Sequence, residues 1–475
     1  MITYLAEDIF TKIPAQPDSQ KVTTLLAAEL KQLNKKIVVL DDDPTGVQTV
    51  HDISVYTNWT KASIKQGFAE KSAMFFILTN SRGFTAEETE QVHREIATTV
   101  SEVAQENNQE FLFISRSDST LRGHYPLETE ILKEVVEAKT DTHFDGEVLI
   151  PFFKEGGRFT IDDVHFVQVD DQLVPAGETE FAKDKTFGYQ ASNLADWAEE
   201  KTNGRYRATD VTSISLADLR SLNLDKITNQ LLQVKDFNKV VVNAVDYCDV
   251  QVFVIALIRA LSQGKLFMFR SAAALTKILG GVSDQPLLTK ANLIDSQATT
   301  GGLIMIGSHV KKTTEQLDQL RQLDDVLFIE FNVGAVLSDT TLAEEEFRVT
   351  TAVNAALERG QTVTVYTSRQ RLDLGEDRES ALLLSVKISK AITNIVQQLP
   401  VRPKFIIAKG GITSSDIGTN GLSVDRALVA GQIKPGIPVW YTGETSKFPQ
   451  LPYIIFPGNV GAKTTLREVV ALLNQ

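Results

Sequence analysis

Three adjacent carboxylates, Asp41-Asp42-Asp43, follow the apolar run Ile37-Val38-Val39-Leu40 and lead into Pro44-Thr45-Gly46. Neighbouring anions repel one another, and a chain tolerates them where a cation, a metal or a polyhydroxylated ligand sits among them. Two more apolar runs end in the same manner. Met74–Leu78 gives way to Thr79-Asn80-Ser81-Arg82-Gly83, and Phe111–Ile114 to Ser115-Arg116-Ser117-Asp118-Ser119-Thr120-Leu121-Arg122-Gly123-His124. The guanidinium groups of Arg82, Arg116 and Arg122 suit bidentate capture of a carboxylate. Asp42, Asp43 and Asp118 suit sugar hydroxyls or proton abstraction, and Ser115, Ser117 and Ser119 add hydroxyls. The ligand this set predicts is a hydroxylated carboxylic acid. The bland alternative is a salt-bridge network among the same Arg and Asp side chains. Among the carboxylates Asp118 is the expected proton acceptor, with Asp42 second, because cationic neighbours keep Asp118 ionised.

The second half of the chain carries a different chemistry. Leu303-Ile304-Met305-Ile306 opens onto Gly307-Ser308 and a helical pattern; Ile406-Ile407-Ala408 opens onto Lys409-Gly410-Gly411-Ile412-Thr413; Phe456-Pro457-Gly458 precedes the last helix. Turns of this kind offer backbone N–H groups at a helix entrance, where phosphate is favoured. Paired glycines permit close approach of a ligand, and Lys409 adds a cation. None is a Walker A motif. Three in one half predict a nucleotide site.

The elements that must hold these residues alternate. Strand-like runs (Ile37–Leu40, Ile53–Tyr56, Met74–Leu78, Phe111–Ile114, Val148–Ile150, Val240–Val245, Leu266–Phe269) are separated by helical patterns such as Ala86–Gln105, Leu127–Glu137, Leu216–Val234 and Val250–Leu261. That order predicts βαβ units and an α/β fold, in which a parallel sheet brings its strand ends to one edge. Residues 156–212 break the alternation and read as an excursion. A weak stretch, 281–300, is the expected connection between a domain over 1–280 and one over 301–475, each a mostly parallel sheet flanked by helices. In the second half Leu303–Ile306, Val326–Phe331, Thr362–Tyr366 and Phe405–Ala408 read as strands, and Arg426–Pro457 as more β-like.

Composition narrows the partners. The chain has 475 residues, more than one core usually serves. Its net charge of −13, from 48 Lys and Arg against 61 Asp and Glu, disfavours nucleic acid and anionic membranes. No apolar run is long enough for a bilayer span, and no secretory signal is evident, so a cytoplasmic setting is expected. Cys248 stands alone and reads as a buried, inert thiol. His93 lies in a polar helical run and is expected at the surface, while His124 and His309 sit beside the motifs as ligand contacts. No His spacing suggests a transition-metal site.

Taken in order and spacing, Asp41-Asp42-Asp43-Pro44-Thr45-Gly46, Ser115 to Gly123, Gly307-Ser308 and Lys409-Gly410-Gly411-Ile412-Thr413 resemble the four-carbon acid sugar kinases, along nearly the whole chain. The resemblance implies an N-terminal domain for the acid sugar and a C-terminal domain for ATP. It implies phosphorylation of a terminal hydroxyl of a threonate, erythronate or oxo-tetronate, with Mg²⁺ accompanying ATP. It places ATP contacts at Ser308, at Lys409, Gly410, Gly411, Ile412 and Thr413, and at Gly458. A homo-oligomer is compatible with it. Two departures, Gly307-Ser308-His309-Val310 in place of Gly-Ser-Cys-Ser and the form of Phe152–Asp170 with Gly156-Gly157-Arg158, bear on the identity of the acid. The rival reading takes Asp41-Asp42-Asp43-Pro44-Thr45 as the D-x-D-x-T signature of haloacid-dehalogenase-like phosphatases, with Asp41 as nucleophile and Asp43 as acid/base. It lacks a good metal-binding motif, Asp162-Asp163 being a poor match, and leaves the C-terminal half idle. A non-catalytic acid-sugar sensor is the third reading, without any DNA-binding feature to support it.

Overall fold

A computed structural model describes residues 3–308, 310–369 and 378–475. The chain divides into two compact units, Met1–Asp42 with Asn58–Asp284, and Asp43–Thr57 with Gln285–Gln475.

The first unit is built on seven parallel strands. Their order across the sheet is Thr212–Ile214, Asn238–Val242, Gly146–Ile150, Phe267–Ser271, Phe111–Arg116, Lys36–Asp41, Met74–Leu78. The central strands are continuous apolar runs, and Ile37, Val38, Val39, Phe75, Phe76, Phe113 and Ile114 are fully buried. That is the pattern of a parallel sheet covered on both faces. Register aligns the carboxyl ends: Asp41 stands opposite both Leu78 and Arg116, and Arg116 opposite Ser271. The Phe111 strand runs two residues further than the apolar pattern predicts, so Ser115 and Arg116 are strand residues, held by pairing with Arg270 and Ser271.

Covering helices start where the sequence supplies caps. Ala86–Asn107 opens on a Thr85/Glu88 capping box and closes on Asn108 in the left-handed conformation. Tyr247–Ser262 opens on an Asp246/Asp249 capping box. Cys248 is buried in that helix, and burial pushes its thiol up to about 11, which fits an inert group. The single helix expected over Leu216–Val234 is two, Leu216–Arg220 and Leu224–Gln233, broken at Leu222 with φ of +53°. Its continuous apolar period hid the break.

The excursion has its own order. Arg158–Ile161, Val164–Val169 and Gln172–Pro175 form antiparallel hairpins, extended by Tyr4–Leu5. Asp162 and Asp163, with φ of +48° and +64°, form the two-residue turn of the first hairpin. They are turn residues, not the end of a parallel strand as a phosphatase metal motif requires.

This unit contains a buried ion pair. Lys239 Nζ lies 2.7 Å from Glu147 Oε2, and both side chains are fully buried. The Tyr125 hydroxyl donates to the same oxygen at 3.1 Å, and the ammonium sits 3.8 Å and 4.0 Å from the ring centroids of Tyr206 and Phe237. Removing one partner strands the other charge in an apolar site. Glu147→Ala should therefore cost about 3–5 kcal/mol in a denaturant melt, while replacing both groups by apolar residues of similar volume should recover most of it. A single-variant loss under about 1 kcal/mol would contradict this account.

The second unit holds eight strands in the order Ile53–Tyr56, Arg426–Lys434, Ile437–Thr442, Pro452–Phe456, Ile406–Lys409, Leu303–Ile306, Thr362–Thr367, Val326–Phe331. The first three junctions are antiparallel and the last four parallel. Asp43–Thr57, read from sequence with the N-terminal half, belongs here because Ile53–Tyr56 pairs with Arg426–Val429. An apolar run fits either sheet equally, and only the pairing partner decides.

Candidate functional site

In the first unit the strand ends come together as the sequence predicts, but largely paired. Asp41 carbonyl accepts from the Thr79 N–H at 2.9 Å and hydroxyl at 3.0 Å, which sews two strand ends together. Asp42, buried, accepts from Arg82 twice, from Nε at 3.1 Å and from Nη2 at 2.6 Å. Arg116, also buried, has Nη1 3.8 Å from Asp41 Oδ1. Arg122 Nε donates to Asp118 at 2.6 Å, and the Thr120 hydroxyl donates to the same carboxylate. The acid–base edge thus exists, and three of its guanidinium groups already face protein carboxylates.

Its electrostatics separate the two candidate bases. Burial lifts the Asp42 carboxyl above its ordinary value; Arg82 opposes the rise, and the charge of Glu128 adds to it. Burial also acts on Asp118, but the guanidinium groups of Arg122 and Arg82 outweigh it and hold that carboxyl well below the usual range.

Glu128 gives no signal in the sequence, because an acid in the first turn of a helix is ordinary. Buried, it accepts from Ser81 at 2.7 Å, from Ser115 and Ser117 at 3.4 Å, and from Arg270 Nη1 at 3.1 Å. Against its burial, Arg270 and His93 draw its carboxyl down to about 2. His93 is not a surface residue: it is buried, its Nδ1 is 2.8 Å from Thr89 carbonyl, and its Nε2 is 3.9 Å from Glu128. The polar residues beside it in sequence lie on the other faces of its helix. His124 is tied to the Phe84 carbonyl at 3.0 Å. His309 lies outside the described residues.

The excursion reaches the Asp118 turn. His165 Nε2 is 2.8 Å from the Ser119 carbonyl, and the Tyr189 hydroxyl donates to the Thr120 carbonyl at 2.7 Å. Burial brings His165 down to about 4, so near neutrality its ring is uncharged and Nε2–H is the donor. A cavity of about 10 Å³ beside Asp118, walled by Leu121, Leu149, Trp197, Arg270 and Ser271 among others, has about the room of one water. It is too small for a four-carbon acid.

In the second unit the three glycine turns converge. A Cβ built on Gly307 would lie 2.3 Å from the Thr413 hydroxyl oxygen, one on Gly410 3.1 Å from Ser308 Cβ, and one on Gly458 3.8 Å from Ser308 Oγ. Gly410 has φ of +117°, a conformation that favours glycine. Ile412 is exposed. Lys409 is fully buried and faces inward: its ammonium donates to the carbonyls of Pro457 at 2.5 Å and Gly458 at 3.1 Å. Burial, aided by Lys312, brings it down to about 7. Its geometry is that of a tie between two turns. The outer cations at these turns are Lys312, which donates to the Asn459 carbonyl at 3.3 Å, and Arg369, which donates to the Ser308 carbonyl at 2.5 Å. Sequence reasoning missed both, since neither sits in a glycine motif. Asp43 lies here too. Its Oδ1 accepts from Thr45 N–H at 2.9 Å, and its Oδ2 is 2.7 Å from where a Cβ on Gly411 would stand.

Among the described residues no three His, Cys, Asp or Glu side chains form a metal-binding group, and no helix is long and apolar enough to cross a membrane.

Comparison with known proteins also divides the chain in two, with residues 43–57 falling inside the N-terminal match. Residues 37–279 match the model of a sugar-binding N-terminal domain, and residues 303–466 that of a nucleotide-binding C-terminal domain. No curated protein matches the chain. Among solved structures, a Salmonella typhimurium LT2 protein provisionally named a tRNA synthase superposes with a TM-score of 0.65 at 16% identity, over 92% of this chain and 98% of its own. Haemophilus influenzae protein HI1011, of the DUF1537 family, superposes with a TM-score of 0.58 at 18% identity, over 91% of this chain and 99% of its own. At these identities the likeness is one of fold.

Proposed function

The chain belongs to the four-carbon acid sugar kinase family, and on that premise we propose that it transfers the terminal phosphoryl group of ATP to a hydroxyl of a four-carbon acid sugar of the threonate, erythronate or oxo-tetronate class. A sugar-binding domain followed by a nucleotide-binding domain makes a sugar-kinase-like enzyme. The observation that carries the finer reading is the edge of the first unit, where Asp42 and Asp118 stand among Arg82, Arg116 and Arg122.

Phosphoryl transfer needs positioning and charge neutralisation more than covalent help from the protein. Asp42 is the better proton acceptor for the attacking hydroxyl, because its carboxyl is lifted toward the working pH, whereas Asp118 is held far below it. Asp118 then serves to hold a substrate hydroxyl. Ser308, Gly410 to Thr413 and Gly458 form the bed for the triphosphate, with Lys409 fixing the third turn against the second. Mg²⁺ fits as an ion carried in by the nucleotide, since one or two carboxylates plus phosphates and water satisfy it. The Asp43 carboxylate, lying against the Gly410-Gly411 turn, would hold it. The ion would neutralise phosphate charge.

A coupled ATP-consumption assay over a panel of four-carbon aldonates tests this. ATP should be consumed only when a suitable aldonate is present. Phosphate release from sugar phosphates without ATP would instead favour the phosphatase reading. The geometry weighs against it, because Asp162-Asp163 form a hairpin turn.

A further inference from the structure

The guanidinium groups nearest the sugar edge differ in one respect. Arg82 is bound to Asp42, Arg116 faces Asp41, and Arg122 is bound to Asp118 and lies 3.9 Å from Asp184. Arg158 has no such partner. Its Nε is shielded from solvent without a hydrogen-bond acceptor, and no carboxylate among the described residues forms an ion pair with it. It is nonetheless placed with care. Its backbone N–H donates to the Phe153 carbonyl at 2.9 Å and its carbonyl accepts from Phe153 N–H at 3.1 Å. Gly157 turns the chain with φ of +71°, and a Cβ on Gly156 would lie 3.3 Å from Arg158 Nη1, so this turn leaves the guanidinium its room. The guanidinium lies 5.8 Å from the centroid of Phe181, the ring that Arg122 approaches at 5.0 Å. The hairpin that carries it is fastened to the Asp118 turn through His165 and Ser119.

A polar atom shielded from solvent without a hydrogen-bond partner costs stability, and proteins seldom keep one without use. A guanidinium is matched in shape to a carboxylate. We propose that Arg158 receives the carboxylate of the acid sugar and so makes the site select an acid over a neutral sugar. This rests on the reading of the chain as an acid-sugar kinase. Burial lowers the Arg158 pKa; the charge of Asp118 opposes the drop and that of Arg122 adds to it. The assignment is consistent with the chemistry proposed for the edge. An acid gripped at its carboxylate by Arg158, with a hydroxyl on Asp118, has its far end left for phosphoryl transfer.

Steady-state kinetics and melting of wild type, Arg158→Gln and Arg158→Lys test it, with threonate, erythronate and the uncharged analogue threitol as substrates. Arg158→Gln should raise the KM for the acid roughly 10- to 100-fold, the worth of charge-assisted hydrogen bonds, with much less change in kcat. Activity on threitol should stay at its wild-type level, so the preference for the acid collapses. Arg158→Lys should recover part of the KM. Because a shielded Nε without an acceptor is removed, the Tm of Arg158→Gln should hold or rise. If Arg158→Gln fails to fold, the inference is wrong on that count, and the Lys variant still reads the KM. An unchanged KM for the acid in a working enzyme overturns the inference alone, as does an equal loss with threitol. A wild type that consumes no ATP with any aldonate overturns the kinase reading beneath it.

Discussion

Asp42→Asn lowers kcat by roughly two to four decades, the usual worth of a positioned general base, while KM for the aldonate changes far less. Asparagine keeps the shape of the side chain and one acceptor for Arg82, which donates to both oxygens of Asp42, so the edge should stay assembled. What disappears is the group that can take the hydroxyl proton. The pH profile gives a second readout. Burial raises the Asp42 carboxyl, and a base works only when ionised, so wild-type kcat should fall as pH drops through that raised value. The variant should lack this acid limb. Asp118→Asn is the control that decides between the two carboxylates. Asp118 stays ionised at any working pH because Arg122 and Arg82 outweigh its burial, so it is a weak acceptor and its loss should appear mainly in KM. If Asp118→Asn abolishes kcat while Asp42→Asn leaves it near normal, the two roles are exchanged.

The sequence placed most of this edge, and the physical reason is simple. In a parallel sheet a residue that ends an apolar run has to lie at the carboxyl edge, so Asp41, Asp42, Arg82 and Arg116 could be set side by side from pattern alone. What pattern lacks is pairing. The period of an apolar run does not say that Arg82 closes on Asp42, nor that Ile53–Tyr56 finds its partner at Arg426–Val429 more than 350 positions away. Asp43 follows from that second miss: the chain changes unit between it and Asp42, and the third carboxylate of a contiguous motif belongs with the glycine turns. Glu128 and His93 were illegible for another reason. Each sits in a helix among polar neighbours, and burial of one polar position on the packed face leaves no trace in composition. Lys409 shows the limit of residue type. A lysine beside paired glycines suggests a phosphate ligand, yet its ammonium is turned inward to two carbonyls.

The glycine turn offers the other large effect. Gly411→Val should weaken ATP binding about 10- to 100-fold, the cost of forcing extra methyl groups into a closed turn. The first added atom already lies 2.7 Å from Asp43 Oδ2, and Asp43 cannot swing away freely because its other oxygen accepts from Thr45 N–H. Calorimetry with ATP and with the aldonate, each alone, separates the outcomes. The aldonate should bind as before, since the residues proposed to hold it lie in the first unit. Losing both ligands together would point to misfolding, which a thermal melt exposes. Losing the aldonate while keeping ATP would mean the two units have been assigned the wrong way round. Gly411→Ala resolves the cause. If the collision with Asp43 is the whole effect, adding Asp43→Ala to Gly411→Ala should restore binding of Mg²⁺-free nucleotide. If it does not, the turn must stay bare for the phosphates themselves, and the close approach of backbone to nucleotide is what Gly411 provides.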